Sequence, residues 1–189
     1  MELTKRKRDM MRASKSSQHG MSLIEMMIAC LVLLVGVLAM ALLIPLAIGT
    51  NSRNRQQSNS TVIAQMLMEK ILSVPQGALP PTLTDCTGAA TNITVTGTAS
   101  GSGATLLASG DVDFSQAAGG AGAPAGYYML YAACGSGGQQ STYDVRWNIK
   151  TPSNYVKTVI VSAKLKGSGT NPVLFSPAVT IRSMIGQGD

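Results

Sequence analysis

The sequence predicts an α+β fold: one long N-terminal helix, its first half transmembrane, packed on a C-terminal antiparallel sheet. Three observations carry this. Residues 26–48, MMIACLVLLVGVLAMALLIPLAI, form a run without a single charge. An apolar stripe at helical spacing follows at Ile63, Leu67, Ile71 and Val74. Residues 142–186 then read as β-strands separated by turn residues.

Composition agrees. Of the 189 residues 13% are charged and 4% aromatic, against about 25% charged in an ordinary soluble domain. A membrane-embedded part beside a loop-rich part accounts for both. The net charge is +6, but residues 1–20 hold Lys5, Arg6, Lys7, Arg8, Arg12 and Lys15 against Glu2 and Asp9. Only +2 remains on residues 21–189. If the first segment is removed, the basic footprint of a nucleic-acid binder goes with it. The one histidine, His19, lies in that segment too. A product without it lacks the imidazole of Ser-His-Asp and Cys-His systems and of His-ligated zinc. No catalytic residue, cofactor or metal is expected.

The elements follow in order. A helix over residues 26–48 spans roughly 34 Å, against about 30 Å of hydrocarbon. Six basic residues precede it, and only Arg53 and Arg55 follow closely. The positive-inside rule keeps residues 1–20 cytoplasmic and sends the chain beyond residue 50 outward. An ordinary secretory signal places its cleavage site after a shorter apolar stretch. Here the one good small-residue site, Gly20, precedes the stretch, so cutting there leaves the membrane helix attached. Glu25 stands alone at the edge of the apolar run, where a carboxylate is costly unless it snorkels or finds a partner. Pro45 lacks an amide to donate to Ala41, so a kink is expected there. Cys30 reads as a small packed residue of the span.

Residues 51–61 are polar, and the stripe from Ile63 to Val74 lays the helix, residues 51–74, on a sheet until Pro75 ends it. Met66 and Met68 fill the same contact. Residues 76–141 are mostly Gly, Ala, Ser and Thr, with a candidate strand over 92–98 and an apolar patch at Tyr127–Tyr131 that anchors the segment. Tyr143, Val145, Trp147 and Ile149 alternate as a half-buried strand does. A turn is expected over 150–154, a second strand over 155–165, another turn over 166–172, and a third strand over 173–185 interrupted by Pro177. Cys86 and Cys134 are both exported, where disulfides persist. Joining them closes a loop worth about 4 kcal/mol in the chain-entropy model. Asp111 and Asp113 form a D-x-D without the further oxygen ligands of a calcium loop. Gly101-Ser102-Gly103 has no following helix and so makes no phosphate cradle. Lys150, Lys157, Lys164 and Lys166 gather in the tail and leave only weak phosphate binding open.

The string GMSLIEMMIA, residues 20–29, resembles the class III leader of type IV prepilins and type II secretion pseudopilins. The resemblance implies cleavage after Gly20 by a prepilin peptidase and N-methylation of Met21. It also implies that Glu25 pairs with the terminal amine of a neighbouring subunit, since a lone carboxylate and a lone ammonium are each costly in hydrocarbon. Major pilins usually carry Phe where this chain has Met21. Helix followed by sheet is the pilin-like layout, and the tail YDVRWNI with its following Val-rich strand is similar to PilV-type minor pilins. The domains implied are a cleaved leader, 1–20; the transmembrane and assembly half of the helix, 21–50; and an exported domain, 51–189. The function implied is that of a minor pilin. It catalyses nothing and helps assemble, initiate or modify a pilus with other pilin subunits and an inner-membrane assembly platform. It sits first in the inner membrane with its C-terminal domain periplasmic, then in the fibre. A minor pseudopilin of a type II secretion system, or a tip subunit with an adhesive or DNA-binding role, stays open as the alternative.

Overall fold

The computed structural model describes residues 21–75, 78–135, 138, 140–153, 155–167 and 176–186. The chain forms two compact units, one ending at Leu46 and one spanning Ala47–Asp189. Helix α1, Leu23–Leu72, begins in the first and ends in the second. It retains helical structure through Pro45, so the proline does not terminate it.

In the first unit every described side chain is exposed. A helix that is apolar on all sides has no core-facing stripe; it suits lipid or other apolar helices. The last turn of α1 carries Lys70, which favours the negative end of the helix dipole. The Ser73 hydroxyl then donates to the Lys70 carbonyl, 3.0 Å, just before Pro75.

Among the described residues of the second unit seven strands follow: β1 Thr82–Thr84, β2 Ala90–Asn92, β3 Ser102–Gly103, β4 Tyr128–Cys134, β5 Gln140–Ser153, β6 Val156–Leu165 and β7 Val179–Gly186. β1 and β2 form a small hairpin. The others make one antiparallel sheet in the order β3-β5-β6-β7, with β4 on the same edge of β5 as β3. β5, β6 and β7 are the expected meander. Its inner face carries Tyr143, Val145, Trp147 and Ile149 of β5 and Val159, Val161 and Ala163 of β6, all buried against Ile63, Leu67 and Ile71 of α1. The stripe therefore does what its spacing implied, and each large apolar side chain so buried contributes about 1.5–3 kcal/mol. Met68 is buried in the same contact. Trp147 sits at the centre, its indole N–H donating to the Thr94 carbonyl at 2.9 Å.

Several sequence expectations need correction. The patch at Tyr127–Tyr131 does anchor its segment, with Met129 in the main core and Tyr127 and Tyr131 packed on it, but it is also largely strand: β4 pairs with β5 from Tyr128↔Arg146 to Cys134↔Gln140. The candidate strand over 92–98 is not one. β2 ends at Asn92, and Ile93 and Val95 are buried from an irregular segment. The turn expected over 150–154 is shorter, because β5 continues to Ser153; Asn154 lies outside the described residues. Pro152 is accommodated where the register slips between Lys150 and Ser153, a bulge that needs no donated amide. Of the third strand, residues 173–175 lie outside the described residues. β7 begins at Val179, after Pro177, and is an edge strand. Of Gly101–Gly103, the last two residues form β3. Gly103 has φ 116°, and a Cβ there would collide with the Trp147 carbonyl and the Tyr127 ring, so only glycine lets this strand lie so close.

A third layer was not anticipated at all. Residues 104–126 fold over the outer face of the sheet, where Ala104, Val112, Ala123 and Ile160 form a second small core with Leu106, Phe114 and Tyr128. Arg146 of β5, 3% exposed, holds that layer. Its guanidinium pairs with Asp144 at 2.6 Å and donates to the carbonyls of Asp113, 3.0 Å, and Gln116, 2.8 Å. Its Cζ lies 4.6 Å from the Phe114 ring centroid, a cation–π distance. The Asn148 amide donates to the Ala104 carbonyl at 2.9 Å.

Candidate functional site

The N-terminal segment is built from very few polar atoms. Ser22 precedes α1, and its hydroxyl accepts the Glu25 amide at 3.2 Å, an N-cap that satisfies one of the free donors of the first turn. Glu25 thus occupies the first turn, where the positive end of the helix dipole favours a carboxylate. It is the only charged residue from 21 to 52. Met21, 69% exposed, is the first described residue; Gly20 lies outside the described residues. This capping arrangement was a missed reading, although Ser22 three residues before Glu25 is its sequence signal. Cys30 is exposed and free on the same helix.

The two cysteines beyond the apolar helix come together. Cys86 and Cys134 form a disulfide with Cα atoms 5.9 Å apart. It ties the loop after β1 to the end of β4. Asp85 reinforces the same junction: its carboxylate accepts the Thr87 hydroxyl, the amides of Thr87 and Ala89, and the Ala132 amide at 3.2 Å. The Thr87 hydroxyl, followed by these backbone amides, lowers the Asp85 pKa below its usual value. Replacing both cysteines by serine is expected to cost about 2–4 kcal/mol of unfolding free energy. Thermal unfolding of the full chain with and without reductant is the check; equal midpoints would mean the bridge adds no stability.

The remaining candidate features resolve into structure. Asp111 accepts the Ser109 hydroxyl and pairs with Arg182 of β7 at 2.8 Å, while Asp113 accepts the Ser115 amide and hydroxyl. The Asp111 carboxylate therefore ties the outer layer to β7, while that of Asp113 closes a local turn. The tail lysines do not gather on one surface. Lys157, 4% exposed, lies on the inner face, its ammonium 3.4 Å from the Ile71 carbonyl near the C-terminal end of α1. Burial lowers its pKa. Lys150 pairs with Thr158, and Lys164 with Asp144 six residues further along the same β5–β6 ladder.

The prokaryotic N-terminal methylation motif covers residues 15–41. No curated protein and no solved structure matches the chain significantly. The matched segment contains Gly20, Met21, Glu25 and most of the apolar run, and it ends well before the tail on which the PilV-type resemblance rests. With the α+β pilin-like fold, the motif supports a type IV pilin-like or pseudopilin subunit. Such a leader implies processing by a prepilin peptidase, assembly with other pilins, and anchoring in a membrane through α1.

Proposed function

We propose that the chain is a minor pilin, a structural subunit that helps assemble, initiate or modify a type IV pilus and catalyses nothing. The observation that carries the reading is the order of the N-terminal features: Gly20, Met21, Ser22 and Glu25 ahead of an apolar helix, within a methylation motif. Cleavage after Gly20 leaves Met21 as a methylated terminus four residues before Glu25. The apolar surface of α1 from Met26 to Leu46 then serves twice, first in the bilayer and later among neighbouring helices. Pro45 is the point at which such a helix loosens when packed, since the Ala41 carbonyl receives no amide from it. PilV-type specificity belongs to this reading, through the tail YDVRWNI.

Processing is the first test. Mass spectrometry of the wild-type product is expected to show a chain beginning at methylated Met21. Gly20→Val is expected to leave a full-length precursor in the inner membrane. A mature terminus elsewhere would sink the leader assignment. The pilus role is tested separately by deleting the gene. Loss or shortening of pili with intact protein secretion supports a minor pilin; intact pili with failed secretion would reassign the chain to a pseudopilin.

A further inference from the structure

The edge of β4 that faces away from β5 is covered in part by a turn rather than by a strand. The Tyr127 carbonyl accepts the Trp147 amide at 3.1 Å. Backbone groups alternate in direction along an antiparallel ladder. Tyr127, Met129, Tyr131 and Ala133 therefore bond to β5, while Tyr128, Leu130, Ala132 and Cys134 point away from it. At Ala132 both outward groups are taken by the turn that follows β1. The Ala132 amide donates to the Asp85 carboxylate at 3.2 Å, and the Ala132 carbonyl accepts the Cys86 amide at 3.4 Å. A carboxylate stands where a neighbouring strand would offer a carbonyl. Two residues on, the Cys86–Cys134 bridge fastens the same turn to the end of β4. The outward amides and carbonyls of Tyr128 and Leu130 have no partner among the described residues.

What this plug covers is a strand suited to pairing with its own kind. β4 reads YMLYAAC, seven residues without charge, proline or glycine, the composition from which bare edges add to one another. With the turn in place only Tyr128–Leu130 is open. With it lifted the whole strand is. Two copies of β4 then fit antiparallel about a two-fold axis with Tyr131 opposite Tyr131. Tyr128 falls opposite Cys134 and Leu130 opposite Ala132, so every outward group finds a partner and no like charges meet. Within the turn, residues 85–89, only Asp85 is even half-buried. Without the bridge it is held on β4 by two hydrogen bonds that exchange for bonds to water at modest net gain.

We infer that the Cys86–Cys134 bridge is a redox-sensitive lock: while it holds, the Asp85–Cys86 segment plugs the edge of β4, and its reduction frees β4 to pair with β4 of a second copy. Both bridge cysteines are exposed and open to a dithiol reductant. One thiolate of the reductant attacks a bridge sulfur and forms a mixed disulfide, and its second thiol then displaces that sulfur. Two electrons and two protons pass to the protein, leaving Cys86 and Cys134 as thiols and the reductant as a disulfide. The inference rests on the second unit alone, and on neither the leader nor the minor-pilin role.

The test compares the full chain in detergent before and after treatment with dithiothreitol. In dilute samples reduction is expected to speed hydrogen exchange of the Ala132 amide about tenfold, with the Met129, Tyr131 and Ala133 amides still protected by β5. In concentrated samples light scattering is expected to show the protein mass per particle rising about twofold, as a closed pair requires. Cys86→Ser with Cys134→Ser should show both effects without reductant. Leu130→Pro deletes an amide that faces away from β5, a position where an edge strand tolerates proline. The reduced variant should keep the fast Ala132 exchange and lose the doubling. An unchanged Ala132 rate on reduction would overturn the lock. So would equal acceleration at Tyr131 and Ala133, which would mean that β4 itself unravels. An unchanged mass in the reduced wild type, or a doubling that survives Leu130→Pro, would overturn the pairing through β4.

Discussion

Arg146→Ala is expected to lower the unfolding free energy by about 3–5 kcal/mol, the usual cost of removing one partner from a buried charge network. The side chain is 3% exposed and serves four groups: Asp144, the Asp113 and Gln116 carbonyls, and the Phe114 ring. Truncation strands a carboxylate that is itself largely covered and leaves two carbonyls without donors. The damage should start in the outer layer, because residues 104–126 are fastened mainly through backbone atoms. Hydrogen exchange of the full chain is therefore expected to show lost protection first over 105–126, ahead of β5 and β6. The double variant Arg146→Ala with Asp144→Ala should be less unstable than the sum of the single losses, since the stranded charge is gone. Urea unfolding of the four proteins measures this coupling. A single variant with an unchanged midpoint would mean that the layer holds itself without Arg146.

That layer also shows why part of the fold was hidden in the sequence. Long-period features were legible: the apolar run, the stripe Ile63–Leu67–Ile71 and the alternation Tyr143–Val145–Trp147–Ile149 all report side chains, and periodicity reads side chains. The same alternation assigns Asp144, Arg146 and Asn148 to the opposite face, and polar residues there read as solvent-facing. They face protein, because segment 104–126 supplies carbonyl oxygens, and a carbonyl has no letter in the sequence. β4 was hidden for a related reason. Ala132 and Ala133 carry little strand signal, and the strand exists because its amides and carbonyls complete the edge of β5. Lys157 was legible in principle: it shares parity with Val159 and Val161, so it belonged on the buried face. Its proximity to the Ile71 carbonyl depends on where the helix ends over the sheet, which no local pattern encodes. At the N-terminus the position was reversed. A ten-residue string pointed to the methylation motif that covers residues 15–41, while the structure supplied what the string does not state, that Ser22 caps the helix on which Glu25 sits.

The capping observation sharpens the expected behaviour of Glu25→Ala. The variant should still insert, because losing a charge at the edge of an apolar helix makes insertion easier. α1 should still form, because the cap is made by the Ser22 hydroxyl and the Glu25 backbone amide, which alanine retains. Cleavage after Gly20 should persist, since the bond cut lies five residues away. What should fail is incorporation into the fibre. There, on the proposed pairing, the methylated amine of a neighbouring subunit lies among apolar helices with Glu25 as its counter-charge. Stripping a buried charge of its partner costs roughly 3–5 kcal/mol, which lowers incorporation by about two to three and a half orders of magnitude near equilibrium. Ser22→Ala separates this from a helix-capping effect. It removes the cap and keeps the carboxylate, so it should incorporate nearly normally, at a cost of about 1 kcal/mol. Filaments sheared from each strain and blotted for this protein give the answer. Equal depletion by Ser22→Ala and Glu25→Ala would make helix capping the cause. Wild-type amounts of Glu25→Ala would defeat the charge pairing or place this subunit first in the fibre, where no neighbour lies ahead of it.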